Sequence, residues 1–205
     1  MSKQYDQAYF DRWYRDPKHR VNTPAGVRRK VRLTLGFAEY LLDRPVKRIL
    51  DIGCGEAPWR AHFLEERPSV EYCGVDSSEY VVKRFGRTRG IRLGTFGALG
   101  ALGALGALGL AGPFDLVVCC DVMQYVPAEE LTPGLEAVAS LLGGVAYLEA
   151  FTNVDELEGD KRHWHHRTPA WYRHAFRDAG LTAVGMQCYV GEQLRGSTLA
   201  LERAE

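Results

Sequence analysis

The residues most able to do chemistry lie where two apolar segments end. Residues 49–59 read Ile-Leu-Asp-Ile-Gly-Cys-Gly-Glu-Ala-Pro-Trp, so a strand-like run passes into a turn with Gly53 and Gly55. Glycines in such a turn let the backbone approach a ligand closely. A second run, residues 71–75, ends in Asp76, about twenty residues beyond the turn, where a carboxylate can accept both hydroxyls of a ribose. Together the two signals predict a nucleoside ligand.

The charge and glycine content of the first turn favour one class of nucleoside. Asp51 precedes Gly53 by two residues, and a carboxylate there would repel a pyrophosphate but suit a cationic amino acid moiety. The dinucleotide fingerprint Gly-x-Gly-x-x-Gly also lacks its third glycine, because Pro58 occupies that position. The sequence therefore disfavours NAD and FAD.

At these residues the chain resembles the class I S-adenosylmethionine-dependent methyltransferases. The first motif of that family has the form acid-x-Gly-x-Gly, and its second strand ends in a ribose-binding acid. Residues 114–126, Phe-Asp-Leu-Val-Val-Cys-Cys-Asp-Val-Met-Gln-Tyr-Val, are similar to the family's fourth strand and the loop beyond it, and residues 143–149 are similar to the fifth strand. The resemblance covers roughly residues 45–150 and implies S-adenosylmethionine as the cofactor.

The resemblance also implies which residues contact the cofactor. They lie on the first turn, at the end of the second strand and at the end of the fourth: Asp51, Gly53, Cys54, Gly55, Asp76, Ser77, Cys120 and Asp121. Many family members place an acid after the third strand to bind adenine, whereas this chain offers only Gly-Thr-Phe at residues 94–96. We therefore expect backbone atoms to recognise adenine while Phe96 packs on its ring. The aromatic N-terminal segment is interpreted first as plain hydrophobic anchoring of a helix, but such segments fold over the cofactor in related methyltransferases, so Tyr14 is also a candidate contact to the methionine part.

Methyl transfer from a sulfonium needs positioning more than covalent help, because the methyl group is already activated. Tyr125, just beyond the fourth strand, is the expected acceptor-side residue, and His166 is the candidate base if a proton must be removed. His163, His165 and His166 lack a nearby carboxylate or cysteine pattern, so we expect loop histidines and no metal site. Cys119 and Cys120 are interpreted as buried strand residues, not nucleophiles.

Alternating apolar runs and helical stretches must position these residues. Five runs rich in β-branched or aromatic residues predict strands at 46–52, 70–75, 91–93, 116–120 and 145–150. Thr23-Pro24 and Thr168-Pro169 predict the starts of helices over 24–43 and 169–179, with Gly180 ending the second. Residues 182–190 and 197–202 are predicted to form a terminal hairpin joined by a turn at 191–196.

This alternation predicts an α/β protein with a doubly wound, Rossmann-like sheet. The resemblance implies seven strands, mostly parallel with an antiparallel last strand, and helices at the N-terminus. A chain of 205 residues is short for two full domains. We expect one domain over 1–205, comprising an N-terminal helical cap (1–44), a cofactor-binding core (45–150) and a lid, helix and hairpin (151–205).

A repeat of Gly-Ala-Leu occupies residues 97–109. Glycine at every third position argues against a membrane span, and the lack of proline within the repeat argues against collagen. As an α-helix its leucines would drift around the axis while each glycine cost about 1 kcal/mol. We interpret the repeat as a loosely specified connection between the third and fourth strands.

Composition narrows the partners and the compartment. Lys+Arg and Asp+Glu balance at 26 each, so no basic field favours nucleic acid, and Arg28, Arg29 and Lys30 are interpreted as solvated helix charges. The first twenty residues mix charges with aromatics, unlike a signal peptide, and the five cysteines form no C-x-x-C pair. We expect a cytoplasmic protein without membrane association.

The sequence thus predicts a methyltransferase that uses S-adenosylmethionine and acts on an unidentified small-molecule acceptor. The acceptor atom and the oligomeric state are left open. The alternative is a cofactor-binding regulatory protein of the same fold without transferase activity, which the repeat and the missing adenine acid would suit.

Overall fold

The computed structural model describes residues 5–100, 106, 108–156 and 159–203. One seven-stranded sheet runs through it in the order β3-β2-β1-β4-β5-β7-β6. The strands are β1 (Arg48–Ile52), β2 (Glu71–Asp76), β3 (Ile91–Leu93), β4 (Phe114–Cys120), β5 (Leu142–Glu149), β6 (Thr182–Gly185) and β7 (Cys188–Val190). Among the described residues the α-helices are α1 (Gln7–Phe10), α2 (Pro24–Leu42), α3 (Pro58–Glu66), α4 (Glu79–Arg89), α5 (Ala128–Leu141), α6 (Pro169–Asp178) and α7 (Glu192–Arg195).

The first five strands are parallel, which confirms the doubly wound sheet predicted from the alternating pattern. From β1 the chain moves outward through β2 to β3 and then returns to β4 on the other side of β1. The carboxyl ends of β1 and β4 therefore flank the point where the winding direction reverses. Open α/β sheets bind ligands in the crevice at that point.

The helices begin where the sequence predicts. Thr23 Oγ1 accepts the Gly26 N–H at 3.1 Å at the start of α2, and Thr168 Oγ1 accepts the Trp171 N–H at 3.1 Å at the start of α6. Each threonine satisfies one of the amides that a first helical turn leaves unpaired. Gly180 follows α6 with a φ of +81°, a left-handed conformation that glycine adopts without strain.

Both faces of the sheet are covered by apolar packing. On one face Leu50, Val117 and Leu148 belong to a core that includes residues of α5 and α6. On the other face Ile49 and Val118 pack with residues of α2 and α3. Because β1, β4 and β5 are buried on both faces, they appear in the sequence as continuous apolar runs.

The terminal hairpin lies earlier in the chain than the sequence predicts. The predicted strand 182–190 is itself the hairpin, because β6 and β7 pair antiparallel around a turn at Met186 and Gln187. Both turn residues have positive φ, 49° and 63°, as the tight two-residue hairpin turn requires. The predicted second strand at 197–202 is wrong, since that segment has no strand and follows α7. The antiparallel pairing of β7 with β5 confirms the antiparallel last strand.

The Gly-Ala-Leu segment is packed into the core at both ends. Residues 97–100 form a 3₁₀ turn in which Leu99 is buried, and Leu110 is buried at the other end. The Phe96 ring occupies the space beside Gly134 of α5, where a Cβ would lie 2.3 Å from the ring. The expectation of a loose connection is therefore wrong for these ends, and residues 101–105 and 107 of the repeat lie outside the described residues. Across the described ranges we find no helix with the length and apolarity needed to cross a membrane.

Candidate functional site

A cavity opens at the carboxyl ends of β1 and β4, under the N-terminal segment. We call it the aromatic chamber. Its wall consists of six aromatic residues, three carboxylates and the small residues of the β1 turn: Tyr5, Tyr9, Phe10, Trp13, Tyr14, Val21, Asn22, Gly53, Gly55, Asp76, Ser77, Cys120, Asp121, Val122, Tyr125, Gly159 and Asp160.

A second cavity, the side pocket, lies next to the chamber. It shares part of its wall with the chamber, namely Tyr5, Gly53, Ser77, Val122 and Tyr125. The rest of its wall comes from the end of β1, the segment after β3, the loop after β4 and the start of α5: Ile52, Gly94, Thr95, Phe96, Val126, Pro127 and Glu130. Chamber and pocket thus form one elongated cleft suited to an elongated ligand.

The glycine turn after β1 forms the floor of the cleft. Gly53 and Gly55 have φ values of +69° and +53°, which disfavour any residue with a side chain. A Cβ at Gly53 would lie 2.3 Å from a Val122 methyl carbon, and one at Gly55 would lie 2.2 Å from the Tyr14 hydroxyl oxygen. Glycine at these two predicted positions therefore permits both the positive φ values and the close contacts with neighbouring side chains.

Asp76 is held rigidly at the end of β2. Its carboxylate accepts the Gly55 N–H at 2.7 Å and the Ser78 N–H at 2.8 Å, and only 7% of the residue is exposed. Burial raises the pKa of Asp76. The side chain lines the chamber beside Ser77, where the sequence predicts a ribose site.

Asp51 and Cys54 lie behind the turn instead of on the cleft wall. Asp51 accepts the Tyr72 hydroxyl at 2.7 Å and is 3% exposed. The Cys54 sulfur lies 2.8 Å from the position a Cβ on Gly74 would take. Neither side chain lines the described chamber or pocket. The carboxylates that line the chamber are those of Asp76, Asp121 and Asp160, and the contact of Asp51 with the cofactor stays a prediction.

The buried position of Asp51 predicts a pH dependence of stability. Burial raises the pKa of Asp51 to about 7, well above its value in an unfolded chain, so the folded state binds the extra proton. Stability is then lost as pH rises through the folded pKa. We expect Asp51→Asn, which keeps the acceptor for Tyr72, to gain about 2 kcal/mol relative to the wild type between pH 5 and pH 8. Urea unfolding of both proteins at pH 5 and pH 8 measures this gain. If the free energy of unfolding changes equally with pH in the two proteins, the prediction is contradicted.

Two further acids complete the chamber. Asp121 follows β4 with a φ of +60° and accepts a hydrogen bond from the side-chain amide of Gln124. Asp160 is 6% exposed and binds the Arg162 guanidinium, with its Oδ1 3.1 Å from Nε. Tyr125 donates its hydroxyl to the Asp160 carbonyl oxygen at 2.7 Å. The sequence analysis predicts Asp121 and Tyr125 but misses Asp160, which no motif marks.

Arg167 fastens the segment that carries Asp160 to the loop after β4. Its guanidinium donates to the Met123 carbonyl oxygen at 3.1 Å and to the Val126 carbonyl oxygen at 2.6 Å. The same group lies 4.6 Å from the centre of the Trp171 ring. The residue is 9% exposed, so these contacts replace its hydration.

Lys30 is not the surface charge that the sequence analysis expects. Its Nζ lies 2.6 Å from Oε2 of Glu149 at the end of β5 and 3.5 Å from the Cys120 sulfur. Burial acts to raise the pKa of Glu149, but the hydrogen bond from Lys30 brings it below its usual value. Burial also raises the pKa of Cys120, which keeps the thiol neutral. Lys30 therefore ties α2 to the strand ends under the chamber.

The N-terminal aromatic segment covers the chamber, as expected for Tyr14. Tyr5 and Tyr9 meet edge to face with ring centres 5.0 Å apart, and Phe10 and Tyr14 meet at 4.9 Å. Phe10 is buried in a small core that includes Cys54 and Ala57. Tyr14 thus both packs against the β1 turn and lines the cleft.

His166 lies outside the cleft. It is exposed, its ring centre is 4.1 Å from that of Trp164, and it lines neither cavity. The prediction of His166 as a base therefore finds no support in this arrangement. No group of metal-ligating side chains occurs within the described ranges.

Phe96 contributes to the side pocket while its ring is buried against Gly134. The neighbouring wall residue Glu130 lies in the first turn of α5. Glu130 belongs to a different element from the segment after β3, where the family places its adenine-binding acid, so no motif in the sequence marks it. The side pocket therefore has a carboxylate on its wall, although none follows β3 directly.

Comparison with known proteins finds a matching domain model and structures with a similar fold. Residues 50–145 match the model of a methyltransferase domain. DesVI from Streptomyces venezuelae has a similar structure, with 17% identity, a TM-score of 0.60, and coverage of 82% of this chain and 91% of that one. Magnesium protoporphyrin IX methyltransferase from Synechocystis PCC 6803, with 21% identity and a TM-score of 0.57, covers 87% of this chain and 84% of its own. No curated protein sequence matches significantly.

The plantazolicin methyltransferase BpumL is similar as well, with 16% identity, a TM-score of 0.60, and coverage of 82% of this chain and 72% of that one. At these identities the structural likeness supports the fold, and the domain match over β1 to β5 supports the family. The strand order and the glycine turn agree with both. Residues 50–145 thus match a methyltransferase domain, and the chain has the fold of solved S-adenosylmethionine-dependent methyltransferases.

Proposed function

We propose that the protein transfers the methyl group of S-adenosylmethionine to a small molecule held in the aromatic chamber. The observation that carries this proposal is the placement of Asp76, which is buried at the end of β2, is held by two amides and lines the chamber next to Ser77, a residue of both cavities. Two of the similar proteins are named as methyltransferases of plantazolicin and of magnesium protoporphyrin IX. These names support a small-molecule acceptor.

The residues of the cleft fit the cofactor. Asp76 would accept the ribose hydroxyls, and Ser77 lies beside it. The side pocket would hold adenine, where Glu130 offers an acceptor for an exocyclic amine. The methionine part would extend over Gly53 toward Asp121 in the chamber. Cys120, also on this wall, contributes a neutral surface.

When bound, the cofactor supplies a methyl group already activated on a cationic sulfur. The chain must then orient the acceptor and keep water out, because the displacement needs alignment more than covalent assistance. The aromatic wall provides the dry surface, and Tyr125, held by the Asp160 carbonyl, lies on the acceptor side. Because His166 is exposed and off the wall, Tyr125 is the stronger of the two predicted catalytic candidates.

Product formation tests this proposal. The protein is incubated with methyl-labelled S-adenosylmethionine and a low-molecular-mass cell extract, and both adenosylhomocysteine and a labelled small product are measured. We expect both to accumulate together and to be lost in Asp76→Ala. Tight adenosylhomocysteine binding without turnover on any extract fraction would favour the regulatory alternative instead.

A further inference from the structure

A groove lies along one edge of the sheet, away from the cleft. We call it the arginine groove, and its volume of about 650 Å³ leaves room for a stretch of chain. Thr182 pairs with Val190, which pairs with Val145 near the start of β5, so the groove lies toward the amino ends of the parallel strands. A ligand there would leave the cleft free. The wall comes from α6, the turn after it, β6, β7, α7 and the residues after α7: Arg173, Phe176, Arg177, Gly180, Leu181, Thr182, Ala183, Tyr189, Glu192, Arg195, Ala200 and Arg203.

Four arginines and one glutamate are the charged residues on this wall. Glu192 lies 3.7 Å from Arg195, and both side chains are more than half exposed. Arg203 donates to the Arg195 carbonyl oxygen at 3.4 Å. Arg173 and Arg177, one helical turn apart on α6, form no ion pair or side-chain hydrogen bond among the residues that the structure describes. The wall therefore carries an excess of positive charge, on guanidinium groups whose planar forks suit carboxylates.

The strand under the groove has an unpaired edge. β6 is the last strand of the sheet, so no strand pairs with its outer side within the described ranges. In an antiparallel pair, every second residue directs its N–H and C=O away from the partner strand. Thr182 and Ala183 are consecutive and both line the groove, so one of them directs these groups outward. Neither residue forms a backbone hydrogen bond outside the hairpin in the described part of the chain. An extended segment can pair with such an edge.

Apolar surface accompanies the arginines. Phe176 and Leu181 are buried beneath the groove, and the Phe176 ring meets Tyr189 edge to face with ring centres 4.8 Å apart. In the segment after α7, Leu199 and Leu201 are 72% and 97% exposed. One exposed leucine needs no explanation, but two beside a groove suit a partner that also brings apolar side chains. Neighbouring residues of a strand point to opposite faces, so an alternation of acidic and apolar residues fits this surface.

We propose that the arginine groove binds an extended acidic segment of another protein, which adds as a strand to β6. Its carboxylates contact Arg173 and Arg177 while its backbone pairs with the edge. A nucleic acid would suit the arginines but not the strand edge, and a small anion would leave most of the groove empty. Two copies of this chain joined edge to edge would bring their arginines together, which opposes a symmetric dimer. Binding at this site does not require the methyl transfer proposed above.

Matched peptides test the proposal. Fluorescence anisotropy measures the binding of labelled Glu-Thr-Glu-Val-Glu-Thr-Glu to the full chain, and of counterparts with glutamine or lysine at every glutamate position. A fourth peptide keeps the glutamates on a backbone with methylated amides, which cannot donate to β6. We expect the glutamate peptide to bind at least about tenfold more tightly than the glutamine peptide, a preference that weakens with added salt. The lysine peptide should not bind, and backbone methylation should weaken binding at least about threefold.

Arg173→Gln combined with Arg177→Gln provides the variant, and Lys83→Gln combined with Arg87→Gln the control. The control residues are also exposed and one helical turn apart, but on α4. We expect the first variant to lose most of the preference for glutamate and the second to behave as the wild type. The proposal is overturned if no peptide binds, if the glutamine peptide binds equally well, or if both variants lose binding alike. It is also overturned if oligouridylate or inorganic phosphate displaces the glutamate peptide more effectively than the unlabelled peptide does, or if light scattering finds a dimer that only the first variant abolishes.

Discussion

Replacing Asp76 with alanine is expected to weaken the binding of adenosylhomocysteine by about 100-fold or more. Two ribose hydroxyls would lose a charged acceptor, and hydrogen bonds to charged groups contribute about 1.5–3 kcal/mol each. The carboxylate is already oriented by Gly55 and Ser78, so the wild type spends little entropy on placing it. Isothermal titration calorimetry measures the loss directly.

Because the same carboxylate satisfies two backbone amides, a stability effect must be separated from a binding effect. Asp76→Asn retains one acceptor oxygen and most of the shape, and we expect it to fold while still binding at least about tenfold more weakly. Asp178→Ala, an exposed aspartate at the end of α6, controls for loss of charge. A folded Asp76→Ala protein that binds within about threefold of the wild type would contradict the ribose assignment.

Replacing Arg167 with methionine is expected to lower the free energy of unfolding by about 2–4 kcal/mol. The variant keeps an apolar chain of similar length but leaves the Val126 carbonyl oxygen without the guanidinium donor, and the Met123 carbonyl oxygen with only the Val126 N–H. It also removes the cation beside Trp171. Urea unfolding monitored by tryptophan fluorescence measures the change, since buried polar groups without partners are costly.

Arg167→Lys refines this test, because lysine keeps the charge but cannot reach two carbonyls with a planar fork. We expect it to recover less than half of the lost stability. Arg177→Met, on the exposed face of α6, should change stability by less than about 0.5 kcal/mol. If Arg167→Met unfolds within that same margin of the wild type, the residue does not hold the two loops together.

The parts of the cleft that could be predicted from sequence are those with a local cause. The glycine turn, Asp76 and the caps of α2 and α6 each depend on residues a few positions apart, and the structure has them where the sequence predicts. The hairpin could not be located, because Met186 and Gln187 adopt positive φ without the glycine or asparagine that normally marks such a turn. Here the pairing of β7 with β5 determines the backbone conformation of the turn, although the residue types in the turn disfavour it.

Contacts between distant parts of the chain account for the other differences. Lys30 and Glu149 are separated by 119 positions, and Arg167 and Met123 by 44, so neither pair has a sequence signature. Asp51 was expected to face the ligand because of its motif position, but the neighbouring Tyr72 binds its carboxylate behind the turn. Asp160 and Glu130 reach the cleft from elements that the family motifs do not cover. A motif predicts a turn, whereas side-chain direction depends on what packs behind it.

The aromatic segment that covers the chamber belongs to a stretch of chain outside the sheet. Tyr9, Trp13 and Tyr14 of the chamber wall lie before α2, whereas Asp76 and Gly53 lie at strand ends. Selectivity and scaffold are therefore separable parts of this enzyme. Replacing the N-terminal aromatic segment on the same sheet would change the acceptor without rebuilding the nucleoside site. The first turns of the chain are therefore where evolution, or an engineer, can change what is methylated.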